Sequence, residues 1–244
     1  MSVDFFIEAL QRLLPGVPLT LTLAFLSTGI GAVFAFALAG MRLSGILPLD
    51  WLARGYVFVF RGTPLLVQIF IIYYGLSQFP EVRHSFAWPI LREPFWCAII
   101  ALSLNTGAYA SEVVRGGLLS VPQGQLEAAR ACGMSGLLLF RRIVLPLAIR
   151  QALPAYGTEL ILMVKATSLA SIITLMEITG LAAKMISDTY RVIEVFVVAG
   201  AMYLVINFVL TRIILLAEHW LTPHLRARPD GVVLPSDALI GDRA

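Results

Sequence analysis

Apolar residues come in long blocks along this chain, and charged residues gather at the block edges. Leu13 to Met41 contains no Asp, Glu, Lys or Arg. A bilayer core takes about 20 apolar residues as a helix, so this run predicts a first span over residues 17–40. The uncharged run Gly62 to Phe79, entered from near Tyr56, predicts a second over 56–79. Phe95 to Ser111 predicts a third over 95–112, and Val195 to Leu216, broken only by Arg212, a fifth over 195–217. Between these, a stretch starting near Pro154 predicts a fourth span over 154–176. Glu159 and Lys165 interrupt it and make it the weakest on hydropathy alone. The expectation is an all-α integral membrane protein of five transmembrane helices, with its membrane domain in residues 1–220. No internal repeat is evident. Residues 221–244 turn polar, with Pro223, Pro229 and Pro235, and are expected as a cytoplasmic tail.

Composition supports that class. Hydrophobic residues make up 59% of the 244 and charged residues 14%, with a mean hydropathy of +0.85, far from a soluble average. The net charge of +3 is no nucleic-acid signal, because the basic residues sort by membrane side. One set of flanks holds Arg42, Arg54, Arg61, Arg115, Arg130, Arg141, Arg142, Arg150, Arg212, Arg226, Arg228 and Arg243. The other holds Arg12, Arg83, Arg92, Lys184 and Arg191. Twelve against five places the N-terminus outside and the C-terminus in the cytoplasm. Cys97 and Cys132 then fall on opposite sides, which excludes a disulfide between them. Asp4 and Glu8 precede the first apolar run where a cleavable signal would be basic, so the first span is expected to be retained.

One polar segment, residues 120–146, interrupts the blocks and lies on the cytoplasmic side of this topology. Gln123 to Cys132 lacks Pro and has Gly only at Gly124, and Ala128, Ala129 and Ala131 favour a compact helix. Gly133 is placed to end that helix, and Ser135 to cap the next. Glu127-Ala128-Ala129, Gly133, Ile143 and Leu145-Pro146 stand at spacings that resemble the EAA motif of the membrane subunits of ATP-driven (ABC) importers. In that family the segment is a short cytoplasmic coupling helix that docks into a partner ATPase. The resemblance assigns the docking to Glu127, Ala128, Ala129, Arg130 and Gly133. Four further stretches resemble permeases of polar amino acid importers of the histidine, arginine and opine group. They are Arg61 to Gln68, Leu102 to Tyr109, Ser120 to Gln125 and Lys165 to Ser171. Gly75 to Pro80 and Leu175-Met176-Glu177 look most like the arginine, histidine and octopine members. One departure stands out: Gly157-Thr158-Glu159 occupies a place where an Asn usually precedes the Glu, which leaves the ligand open.

The resemblance implies a type I importer fold. It implies two permease subunits (two related chains, or two copies of one), two ATPase subunits and a periplasmic amino acid binding protein. The location implied is a bacterial inner membrane, with lipid rather than nucleic acid around the chain. The residues agree on the division of labour. A phosphate-binding loop needs a Gly-rich turn before its Lys, and the two lysines, Lys165 and Lys184, follow Val164 and Ala183. Neither can hold a nucleotide, so the chain is expected to be no enzyme and to carry no cofactor; ATP and Mg belong to the partner. His84, His219 and His224 lack metal-ligand spacing, and no nucleophilic triad is visible.

Ionisable groups inside spans are costly and tend to face a cavity or a partner. Glu159 and Lys165 sit about 120° apart on a helix and are not natural partners for each other. Glu159 is a candidate to face a cationic solute, or else an ion pair or cap near the cytoplasmic end. Lys165 could meet a solute carboxylate or satisfy helix-end carbonyls; Ser168 lies one turn on. Asn105, Tyr109 and Glu112, at i, i+4 and i+7, form a polar stripe that either lines a pathway or bonds neighbouring helices. Arg61-Gly62-Thr63-Pro64 reads as a helix entry. Ser27, Gly31, Ala35 and Ala39 make a small-residue stripe for close packing, within the subunit or between two.

Together these readings point to a permease for polar amino acids (arginine, histidine, lysine, ornithine) or opines. A neutral or acidic polar amino acid is the alternative within the class. A stand-alone ion-coupled transporter would need internal symmetry and a midplane ion site, and leaves the EAA segment unexplained. A membrane scaffold leaves the intramembrane charges unexplained.

Overall fold

Proline and apolar spacing set the boundaries of the helices. The computed structural model describes residues 3–221, and among them every regular element is helical. Residues 222–244, most of the expected polar tail, lie outside the described residues. Helix α1 (Val3–Leu13) passes through a 3-10 turn into α2 (Val17–Leu43). Pro15 and Pro18 fall at the starts of these turns, where a missing N–H costs no helical bond. Helix α3 (Leu47–Gly62) ends because Pro64 forces Thr63 into extended backbone, at φ −115° and ψ 144°. Helix α4 (Leu65–Phe70) follows and runs on through a π-helical turn to Gln78. The short helices α5 (Pro80–Arg83) and α6 (Trp88–Leu91) lead into α7 (Pro94–Leu119). Then come α8 (Gln123–Ala131), α9 (Gly136–Leu139), α10 (Leu145–Ala166), α11 (Ile178–Thr189) and α12 (Val192–Leu221).

Three stretches are long and apolar enough to cross a membrane: Asp4–Leu43, Pro94–Leu119 and Val192–Trp220. The number rises to five if each of two bent pairs is one span. The first pair matters for function. The run expected as one helix over 56–79 is two, α3 and the α4 segment, which meet at 103°. Hydropathy reads through Thr63-Pro64, but the backbone cannot. The second pair, Gly136–Ile173 and α11, bends by 47°.

Helices α2 and α7 form the centre. Gly31 lies so close to α7 that a Cβ there would stand 2.8 Å from Thr106 Cγ2, and one on Gly107 would stand 2.8 Å from Phe34 Cβ. Ser27, Gly31, Ala35 and Ala39 are all buried, Ala35 and Ala39 against Ala110 and Val114. The small-residue stripe is thus used within the subunit. Helix α10 runs antiparallel to α7, with Gly117 on Ala148 and Ala152 at one end and Thr106 beside Met163 further along. Helix α12 closes the bundle, Ile214 pressing on Gly157. It leaves Leu204, Phe208, Ile213 and Leu216 exposed, as a lipid-facing helix does.

The amphipathic α1 packs Phe5, Ala9 and Leu13 against α11 and α12. Beside it, the fully buried Glu177 caps α11, accepting from Gly180 N at 2.9 Å and from the Tyr203 hydroxyl at 2.6 Å. Thr20 bridges this carboxylate to Gly16 O, so α2, α11 and α12 are pinned at one point.

Candidate functional site

The break between α3 and α4 opens a cavity of about 490 Å³ in the side of the bundle. Its wall is Arg61 to Leu65 on one side, Asn105, Thr106 and Tyr109 of α7 on a second, and Glu159, Leu162, Met163 and Ala166 of α10 on a third. A helix that stops inside an apolar region strands its last carbonyls, and these need donors. Gln68, itself buried, gives its amide to Phe60 O at 2.9 Å, Thr63 O at 3.1 Å and Thr63 Oγ1 at 2.8 Å. Asn105 Nδ2 donates to Gln68 Oε1 at 3.0 Å and to Phe60 O at 3.3 Å. Tyr56 ties α3 to Leu104 O at 2.8 Å. The broken corner is therefore fixed.

Both signs of charge face this space. Arg61 lies over the Tyr109 ring, its guanidinium carbon 5.0 Å from the ring centre, and that contact orients a cation at the rim. Its charge also acts on Glu159. No ion pair within 4 Å joins Glu159 to any group among the described residues, and none joins Arg61. A carboxylate and a guanidinium beside one cavity, neither consumed by a salt bridge, can each meet an opposite charge on a small solute.

The candidate residues from the sequence divide accordingly. Asn105, Tyr109 and Glu159 come together around the cavity. Glu112, the third member of the α7 stripe, does not join them. It pairs with Arg42 of α2 through Nη1 and with Arg115 Nη2 at 2.7 Å, while Asp50 pairs with Arg54 at 2.8 Å and reaches Arg42 Nε at 3.8 Å. This five-membered ionic network binds the ends of α2, α3 and α7 together. Lys165 and Ser168 also stand off the cavity wall. Lys165 is exposed, and the carbonyls at the end of α10 are met by hydroxyls, Thr167 Oγ1 on Val164 O and Ser168 Oγ on Lys165 O, both at 2.7 Å. Arg61 to Pro64 forms a helix junction and lines the cavity as well. Arg61 and Gln68 are the residues that reading from sequence left out of the site. Their cue was one charge at the edge, and one amide in the interior, of an apolar run beside a proline.

The second site lies at the C-terminal end of α7. Helix α8 ends where Gly133 takes φ +79°, a left-handed conformation that suits glycine. Ser135 occupies the cap position of α9 without a side-chain bond. Ala129 is buried toward the body, while Glu127, Ala128, Arg130 and Gly133 are exposed. Between α8 and the foot of α10 runs a groove of about 490 Å³ bounded by Ala128, Met134, Arg142, Pro146 and Arg150.

A helical bundle with an apolar exterior, an open cavity lined by both signs of charge and an exposed helix at one end defines a membrane transport subunit. Residues 28–222 match the family described as binding-protein-dependent transport system inner membrane component, and the chain belongs to that family. It is 62% identical over 222 residues to an octopine transport system permease protein of Rhizobium radiobacter, covering 91% of each chain. It is 57% identical over 232 residues to a nopaline transport system permease protein of Agrobacterium fabrum, covering 95% of this chain and 96% of that one. A crystal structure of an amino acid ABC transporter with histidines superposes with a TM-score of 0.78 at 35% identity, over 90% of this chain and 99% of that one.

Proposed function

We propose that this chain is the permease subunit of an ATP-driven importer that moves polar amino acids with a cationic side chain, or opines, across the inner membrane. The observation that carries the solute class is the cavity, where Glu159 and Arg61 stand on two different sides with no salt bridge to either among the described residues. A solute bearing both a carboxylate and a cationic nitrogen fits two such charges, and leaving either unmatched in a desolvated site is costly. The names of the relatives, octopine and nopaline transport permeases, support the same class. Any amino acid zwitterion offers a carboxylate and an ammonium to these two charges, so the preference for a cationic side chain or an opine rests on the names of the relatives, and a neutral or acidic polar amino acid is the second reading.

Energy enters from outside the chain. We assign Glu127, Ala128, Ala129, Arg130 and Gly133 to the docking of an ATPase subunit, supported by the exposure of α8 and the left-handed stop at Gly133. The machine is completed by a second permease subunit, related or identical, and by a periplasmic binding protein. Five spans, with each bent pair crossing once, place the N-terminus outside and the C-terminus in the cytoplasm. Helix α7, about 39 Å long at 1.5 Å per residue, carries the α5–α6 turn at one end and α8 at the other. The twelve-to-five arginine and lysine bias assigns α8 to the cytoplasm.

The test is uptake in proteoliposomes containing this chain with the ATPase, second permease and binding protein of its own gene cluster. ATP-dependent accumulation of labelled arginine or octopine, competed by basic and not by acidic amino acids, is the expected result. Accumulation driven by an ion gradient without ATPase would overturn the class, and preference for glutamate the solute assignment.

A further inference from the structure

The two most exposed large hydrophobic side chains among the described residues are Phe86, at 99%, and Tyr190, at 88%. They lie 104 residues apart in sequence, yet at the same end of the molecule. Phe86 sits in the α5–α6 turn just before the start of α7. Tyr190 sits in the α11–α12 turn. Helix α10 is antiparallel to α7, and α12 is antiparallel to α10, because Ile214 lies on Gly157 while Tyr203, nearer to Tyr190, bonds Glu177 beyond the C-terminal end of α10. Tyr190 is therefore carried to the end where α7 begins, opposite α8.

The backbone that carries each side chain is held by hydrogen bonds. In the Phe86 turn, His84 N bonds Pro80 O at 3.0 Å, Ser85 N bonds Val82 O at 3.1 Å, Ser85 Oγ bonds the same carbonyl at 2.7 Å, and Trp88 N bonds Ser85 O at 3.2 Å. Arg83, His84 and Arg92 are exposed around it, so the ring stands on a polar loop rather than on an apolar helix face. Tyr190 is held more unusually. It caps α11 at φ +58°, with its N–H on Ile186 O at 2.8 Å. That left-handed position favours Gly; a bulky aromatic there is strained. Since the ring is almost fully exposed, packing inside this chain does not compensate for the strain. Strain kept at an exposed position points toward a use for the side chain.

Resting on the importer reading, we propose that Phe86 and Tyr190 are the two aromatic anchors on which the soluble binding protein docks. The family description names a binding protein as the partner on which transport depends, and the anchors lie at the end opposite the helix assigned to the ATPase. Aromatic side chains, Tyr and Phe among them, are enriched in protein–protein interfaces, and Tyr is among the residues that contribute most to binding. A lipid-headgroup anchor and a contact with the second permease are the competing occupants.

The test uses the reconstituted complex with the binding protein of the same gene cluster, loaded with arginine. In Phe86→Ser and in Tyr190→Gly, the binding-protein concentration giving half-maximal stimulation of ATP hydrolysis rises about tenfold, equivalent to about 1.4 kcal/mol, while unstimulated hydrolysis is unchanged. Tyr190→Gly also raises or preserves the Tm, because it removes the strain. A photo-crosslinking phenylalanine analogue at either position joins this chain to the binding protein. Unchanged half-saturation in both variants overturns the proposal, as do crosslinks only to lipid or to the other permease, and so does a Tm lowered in Tyr190→Gly without a docking defect. Absence of any stimulation in the unaltered complex would instead count against the importer reading itself.

Discussion

Helix α8 and the Arg61–Glu159 cavity are made by the chain in opposite ways. Helix α8 is local. Nine consecutive residues, a proline before them and a glycine at φ +79° after them define it, and only Ala129 is buried. The cavity is assembled from α3, α4, α7 and α10, and its corner is held by bonds between residues up to 48 apart, such as Tyr56 with Leu104 O. A local element can be moved as a rigid knob without disturbing the bundle. A cavity built from four helices changes shape when any of them tilts. That difference suits the first to receive force and the second to respond by opening or closing.

The comparison predicts separable defects. The largest is at α8. Gly133→Trp forces a side chain into left-handed backbone, at about 1–2 kcal/mol, and puts an indole on the proposed docking surface. Uptake is abolished while the protein still inserts, as does uptake in Glu127→Lys; membrane fractionation alongside solute uptake checks both. Next in size is Glu159→Gln, which keeps shape and removes charge. A partly desolvated charge pair that loses one partner loses a few kcal/mol, so uptake of a cationic amino acid falls more than about tenfold and that of a neutral solute much less. Equal losses for both would make Glu159 structural.

Smaller effects sharpen the contrast with the third ionic region. Glu112→Ala strips the acceptor from Arg42 and Arg115, groups that are 16% and 31% exposed. The partly screened pairs make the expected loss about 1–2 kcal/mol, read as a Tm lower by a few degrees, with solute preference unchanged. A change in preference instead would return Glu112 to the pathway. Smallest is Ser135→Ala. Its hydroxyl makes no cap bond, so stability moves by less than about 0.5 kcal/mol.

Legibility in the sequence follows the same division. The α8 helix, its stop at Gly133 and the boundaries of α2 are local matters of propensity, proline and charge, and can be read directly. The stripe Asn105, Tyr109, Glu112 could be read as one face of a helix, but not its split. Asn105 and Tyr109 meet the α3–α4 corner while Glu112 meets Arg42, 70 residues away, and nothing in a periodicity encodes which neighbour arrives. Arg61-Gly62-Thr63-Pro64 reads as a helix entry, yet hydropathy averages across Thr63-Pro64 and hides the 103° break there. Helix α1 was missed because its eleven residues mix Asp4, Glu8 and Arg12 with an apolar face, Phe5, Ala9 and Leu13, that only α11 and α12 complete. The Glu177 cap was missed for the same reason, since Thr20 and Tyr203 come from distant helices.

In the proposed importer α8 transmits ATP hydrolysis and the cavity selects the solute. The most direct measurement records ATP hydrolysis and labelled arginine uptake in the same proteoliposomes for Gly133→Trp and for Glu159→Gln. Gly133→Trp is expected to lose both uptake and binding-protein-stimulated hydrolysis, whereas Glu159→Gln loses arginine uptake and keeps the stimulated hydrolysis. Loss of both in Glu159→Gln, or stimulated hydrolysis intact in Gly133→Trp, would contradict that division of roles.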